Sequence, residues 1–110
     1  MKHPYKTYSI EQLQAEETLL HEKLNKAKQE ERKNHILVYE RKIEIVRSFM
    51  LDANDFQPGD VYTLKDDPHH HFKIDEINGV FAWGYKMNQT TGQQSIEIEG
   101  FLFDTLGEKI

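Results

Sequence analysis

Apolar residues recur at helical spacing in the first half of this chain and at a period of two in the second. Leu13, Leu20, Leu24 and Ala27 fall within one narrow arc at about 100° per residue, with Ile10 at its edge and Leu19 off it. Glu, Lys, Gln and Asn fill most of the rest, so this pattern predicts a first helix that buries a single stripe. Its start is marked by Ser9 and Gln12. The serine hydroxyl is placed to accept from the Gln12 N–H while the glutamine reaches back to the N–H of Ser9, a capping box. Tyr8 and Leu13 are spaced for a hydrophobic staple across it. Asn34-His35 is the expected break before a second helix, because Asn tolerates the left-handed conformation that ends helices. In that second helix, residues 36–51, Ile36, Tyr39, Ile43, Val46 and Met50 form one stripe. Val38, Ile45 and Phe49 form another, roughly 120° away. Two apolar stripes predict a helix that packs on both helix 1 and whatever follows.

Residues 52–59 read as a linker, since Asp52, Asn54, Asp55, Pro58 and Gly59 are turn formers. Beyond it the pattern predicts strands at 61–65, 72–77, 80–87 and 95–99. Phe101-Leu102-Phe103 then forms a last strand or a short helical turn. Four or five short strands in so few residues suit a small barrel. Asn78-Gly79 favours a two-residue type I′ turn, which places Ile74 opposite Trp83 and Phe72 opposite Tyr85. Opposed residues share a sheet face. This register therefore predicts Trp83 and Tyr85 in the core, with Lys73, Asp75, Ala82 and Gly84 on the outer face. A slip of one residue would reverse the faces and turn the aromatics into a platform on the opposite side.

Composition narrows the chemistry. The 110 residues include no cysteine, which excludes disulfides, zinc–thiolate sites and thiol nucleophiles. No apolar run reaches the ~18 residues a membrane span needs. Residues 1–9 are polar and lack the apolar region of a secretory signal, so a cytoplasmic protein is expected. Residues 1–51 carry ten Lys and Arg against eight Glu, a charge of +2. Residues 52–110 carry four Lys against eleven Asp and Glu, a charge of −7. Nucleic acid, if bound, would meet the first half. There Lys23, Lys26, Lys28, Arg32 and Lys33 scatter around a helical projection among Glu22, Glu30 and Glu31, which reads as a solvated face.

Asp66-Asp67-Pro68-His69-His70-His71 is the most conspicuous polar cluster. On a strand His69 and His71 share a face, which is half of a metal site; a third ligand is not evident, so no metal is expected. Ser9, Ser48 and Ser95 lie in no Gly-x-Ser-x-Gly elbow, and Gly-rich phosphate loops are missing. Glu97 and Glu99 fall together on the outer face of a strand. The expectation is a non-enzymatic chain without a cofactor.

Leu37-Val38-Tyr39-Glu40-Arg41-Lys42-Ile43, Phe56-Gln57-Pro58-Gly59-Asp60-Val61-Tyr62 and Asn78-Gly79-Val80-Phe81-Ala82-Trp83-Gly84-Tyr85 together resemble the YfhH-like family. These are short proteins of unknown function from Bacillus-type Gram-positive bacteria. The resemblance runs over nearly the whole chain. It implies an α+β fold, an N-terminal helical hairpin (1–51) packed on a small SH3-like β-barrel (60–110). It supplies no catalytic or ligand residues. The expected function is a protein-interaction or regulatory module. Its surfaces would be the barrel wall around Ala82, Gly84, Lys73 and Asp75, the charged arc of helix 2, or the open side of helix 1. Leu19 would allow self-association through the helices. The alternative is a nucleic-acid-binding transcriptional regulator that uses those helices.

Overall fold

The computed structural model describes residues 4–110. They form two compact units, one ending at Leu51 and one spanning Asp52–Ile110.

The first unit is a helical hairpin: a 3-10 turn at Pro4–Thr7, then α1 (Ile10–Gln29) and α2 (Lys33–Met50). The capping box forms as the sequence implies. The Ser9 N–H donates to Gln12 Oε1 at 2.8 Å, and the Gln12 N–H donates to Ser9 Oγ at 3.2 Å. Leu13, Leu20, Leu24 and Ala27 are all buried. Leu13, Leu20 and Leu24 meet Ile43 and Val46 of α2, with Ile36, Tyr39, Phe49 and Met50 packed around them. Burying each large side chain contributes roughly 1.5–3 kcal/mol. Of the second α2 stripe, Phe49 joins this cluster, Ile45 is half-buried and Val38 is exposed.

The break between the helices falls at Glu30–Arg32, ahead of the expected Asn34-His35. Glu31 takes the left-handed conformation, with φ 54°. The Arg32 N–H then reaches Ala27 O at 2.9 Å and the Glu31 N–H reaches Lys28 O at 3.2 Å. These are the two bonds of a Schellman motif. They satisfy carbonyls at the end of α1 without a glycine. Asn34 and His35 sit inside the first turn of α2 instead.

The second unit is a five-stranded antiparallel sheet in the order β4-β3-β2-β1-β5. Its strands are β1 (Val61–Leu64), β2 (Asp67–Asn78), β3 (Phe81–Asn88), β4 (Glu99–Leu102) and β5 (Leu106–Lys109). β4 and β5 are edges, so the hydrogen-bonded order is open. Phe101 and Leu102 belong to β4, whereas Phe103 begins a 3-10 turn that runs to Thr105. Tyr62, Leu64, Phe72, Ile74, Ala82, Phe103 and Leu106 form the core, flanked by Phe56, Ile77, Val80 and Phe101. Phe56 stacks on Phe103 with ring centroids 4.2 Å apart.

The hairpin register corrects the sequence reading. Asn78 pairs with Phe81, Ile77 with Ala82, Ile74 with Gly84 and Lys73 with Tyr85. The loop is therefore Gly79-Val80. Gly79 has φ 61° and Val80 has none of the positive φ that a type I′ turn would ask of it. This is the II′ arrangement, with glycine at the first central position. The one-residue slip reverses β3, so Ala82 and Gly84 face the core and Trp83 and Tyr85 lie on the other side. Packing volume explains the choice. Phe72, Phe103, Phe56 and Tyr62 already fill the interior, and β3 runs beneath them with small residues. A Cβ on Gly84 would overlap the carbonyl oxygen of Lys73.

Asp75 is the second part of the correction. The pairing skips from Ile74–Gly84 to Glu76–Trp83, leaving Asp75 as a bulge. The extra residue lets Ile74 and Ile77 both face inward although they stand three apart. On the opposite face Phe81 and Trp83 are neighbours, with ring centroids 6.3 Å apart. The indole lies over Gly100, where a Cβ would come within 2.9 Å of its ring atoms. Leu102, paired with Phe81, is fully buried on this same side.

Candidate functional site

The four residues expected to form one outer surface do not do so. Lys73 and Asp75 are exposed, but Ala82 is 0% exposed and Gly84 is buried with it. The aromatics that replace them on the outer side are themselves half-buried.

The histidine run lies on β2, which begins at Asp67 and so takes in Pro68 as well. His69 and His71 do not converge on a ligand. His70 makes the specific contact: its Nδ1 lies 3.0 Å from Asp67 Oδ2. Lys86 Nζ reaches the same carboxylate at 3.3 Å and Glu99 at 3.9 Å, and it sits 5.7 Å from the Phe101 ring centroid. The hydrogen bond from His70 is the main reason the Asp67 carboxyl titrates below its ordinary range. Burial opposes the shift, and hydrogen bonds from Lys86 and the His69 N–H reinforce it. Among the described residues no three His, Asp or Glu side chains are grouped to hold a metal ion. This corner is an ion-pair network across β2, β3 and β4.

The three serines are engaged with the backbone. Ser9 caps α1, and buried Ser48 donates to the Glu44 carbonyl at 2.7 Å. Ser95 Oγ accepts from the Glu97 N–H at 3.2 Å. That last bond has a consequence which alternation alone does not reveal. It folds residues 95–98 into a local turn, so only an isolated bridge, Met87 to Gln94, precedes β4. The strand expected at 95–99 does not form. Ile96 and Ile98, which alternate with the outward-placed Glu97 and Glu99, are 96% and 45% exposed. A serine two residues before a potential partner amide was the signal for this departure.

A different group comes together at the closed end of the helical hairpin. Lys23, Lys26 and Ala27 of α1, Glu30 and Arg32 of the turn, and His35 and Tyr39 of α2 line a hollow of about 300 Å³. Arg32 Nε binds Glu30 at 2.9 Å. The His35 and Tyr39 rings meet edge to face at 6.3 Å. A linear helical projection scatters these cations. The early Schellman turn brings Arg32 and His35 back beside Lys23 and Lys26, which the sequence reading missed because it placed the break too late. Lys28 and Lys33, named in the same basic set, do not line the hollow.

Comparison with known proteins places these features in a lineage. Residues 3–101 match the family described as "Protein of unknown function (DUF1811)". The chain belongs to this family. The uncharacterized protein YfhH of Bacillus subtilis (strain 168) is 34% identical over 98 residues, covering 89% of this chain and 93% of that protein. The resemblance to YfhH-like proteins drawn from the three sequence blocks is thus correct; the helical hairpin and the Asn-Gly block lie within the matched region, and the sheet does so through β3 and into β4, with β5 beyond it. Among the described residues no helix is long and apolar enough to cross a membrane.

Proposed function

We propose that this chain is a non-enzymatic, cytoplasmic protein-interaction or regulatory module whose C-terminal unit is an SH3-like roll. The strand order supports the roll. β1 pairs with both β5 and β2, while the twelve-residue β2 is long enough to pair β1 along one stretch and β3 along its length. A 3-10 turn joins β4 to β5. The engagement of all three serines with backbone groups supports a role without nucleophilic catalysis.

The observation that carries the interaction reading is the exposed pair Ile96 and Ile98. They stand on a segment that leads into an unpaired sheet edge, β4. Exposed apolar residues beside an open edge are the components of strand addition, in which backbone pairing gives affinity and alternate side-chain contacts give selectivity. The test is a photo-crosslinking residue at position 96 in the native host. A discrete adduct that disappears in an Ile96→Ser, Ile98→Ser variant of unchanged melting temperature is the expected result. Absence of any discrete adduct, or adducts unaffected by the substitutions, would sink the reading.

A second reading, nucleic-acid binding through the helices, is favoured by one observation. Lys23 and Lys26 have no carboxylate partner among the described residues, on a unit whose sequence carries a charge of +2. Duplex DNA affinity that falls steeply with rising salt is its required signature. No binding at low salt removes it.

A further inference from the structure

We infer that the hollow at the closed end of the helical hairpin is a binding site for a small phosphate ester of nucleotide size. This does not rest on the strand-addition reading, which concerns the other unit.

Charge is the first argument. Three cations, Lys23, Lys26 and Arg32, face the hollow, against the single carboxylate of Glu30. That carboxylate lies 2.9 Å from Arg32 Nε, so Glu30 offsets one of the three cations and leaves a net positive charge. The planar donor fork of a guanidinium matches the geometry of phosphate oxygens. Lys23 and Lys26, one helical turn apart on α1, add point charges.

Position is the second argument. Arg32 is not on a loose tether. Its backbone N–H is bound to Ala27 O, and its carbonyl accepts the first intrahelical bond of α2 from Ile36 at 3.0 Å. It is the N-cap residue of α2 and provides no side-chain cap. The amides of the first α2 turn therefore lack an intrahelical acceptor at the same end of the hairpin where the cations gather, and their partial positive charge adds to the field. The backbone that carries Arg32 is thus fixed beside the hollow.

Shape supplies the ligand class. Ala27 is buried at the base of the hollow, and its small side chain leaves room above it. His35 and Tyr39 form an aromatic wall on the α2 side. A volume of about 300 Å³ is at the small end for ligand pockets. It accommodates a phosphate at the cationic rim and a flat ring against Tyr39. An extended polyanion would need cations spread along a helix face, whereas here they are grouped around one concavity.

The experiment is an amide-shift titration of the full chain at low salt with three probes: inorganic phosphate, adenosine 5′-monophosphate and a short duplex DNA. The expected result is saturable shifts with the monophosphate, centred on residues 23, 26, 27, 32, 35 and 39. Inorganic phosphate should bind at the same residues but more weakly, because it has no ring to meet Tyr39. A Lys23→Gln, Lys26→Gln variant should fold with an unchanged melting temperature and lose about tenfold in affinity, as two weak charge contacts disappear. Tyr39→Leu should weaken the monophosphate and leave inorganic phosphate unaffected. Three outcomes overturn the site: no saturation with either small probe, equal affinity of wild type and the lysine variant, or inorganic phosphate binding as tightly as the monophosphate. Binding of duplex DNA alone, with shifts spread over Lys28, Lys33, Arg41 and Lys42, would replace it with the nucleic-acid reading.

Discussion

Glu31 stands at a position that glycine usually holds. Its φ of 54° is left-handed, and it has a side chain that crowds the following carbonyl there. Such a conformation costs an L-residue roughly 1–2 kcal/mol, while glycine gives part of that back as unfolded-state freedom. Glu31→Gly should therefore stabilise the protein by about 0.5–1 kcal/mol, read as a rise in melting temperature. A fall would mean that the glutamate side chain contributes more than its backbone costs. The same residue shows why the hairpin break was misread. Asn34 has the propensity to end a helix and Glu31 does not, yet the chain ends α1 where Ala27 and Lys28 carbonyls need partners. Single-residue preference is a weak prior, and packing of Leu24 and Ala27 against α2 overrides it. Capping, by contrast, is local chemistry, and the Ser9–Gln12 box was legible without any knowledge of the fold.

Pairs of elements carry the next level of information. The spacing of Leu13, Leu20 and Leu24 identified the face on which α1 meets α2, and Arg47 and Glu17 fasten those two helices at 2.8 Å. Burial pushes the Glu17 carboxyl up, but hydrogen bonds from Arg47 and His21 outweigh it and hold the group below its ordinary value of 4.5. A carboxyl with a depressed folded pKa stabilises above its unfolded pKa and loses that contribution as pH falls through the folded one. Glu17→Gln should accordingly lower stability by less than ~1 kcal/mol near pH 6, since the pair is partly exposed, with the deficit shrinking as pH falls below the unfolded value and through the folded one. A difference that persisted in acid would assign the effect to packing. In the sheet, strand existence was legible and register was not. Asn-Gly fits both a I′ loop and the flank of a II′ loop, and the two differ by one residue and a whole face. What decides between them is the absence of room at Gly84, a long-range fact. Gly84→Ala forces a side-chain carbon into the Lys73 carbonyl and should cost ~2 kcal/mol or more in chemical denaturation. A neutral outcome would restore the outward placement of β3's small residues. Asp75 was equally hidden, because a bulge leaves no mark on hydrophobic alternation except the odd spacing of Ile74 and Ile77.

At the scale of the molecule, charge and apolar content are divided between the units. The −7 of residues 52–110 accompanies a well-filled sheet core, while the +2 of residues 1–51 accompanies a hairpin whose cations draw together at one end. Composition alone disclosed that asymmetry. It did not disclose the hollow, because Lys23 and His35 become neighbours only once the chain reverses at Glu31. The family match spans residues 3–101 and carries no assigned chemistry. The margins of the sheet carry one more implication. β4 and β5 are each four residues long, so either offers a newcomer only a few main-chain bonds. Strips that brief are poor templates for fibre growth. Any chain that does settle there must supplement its ladder with oily contact, and two isoleucines at the threshold are ready to meet it.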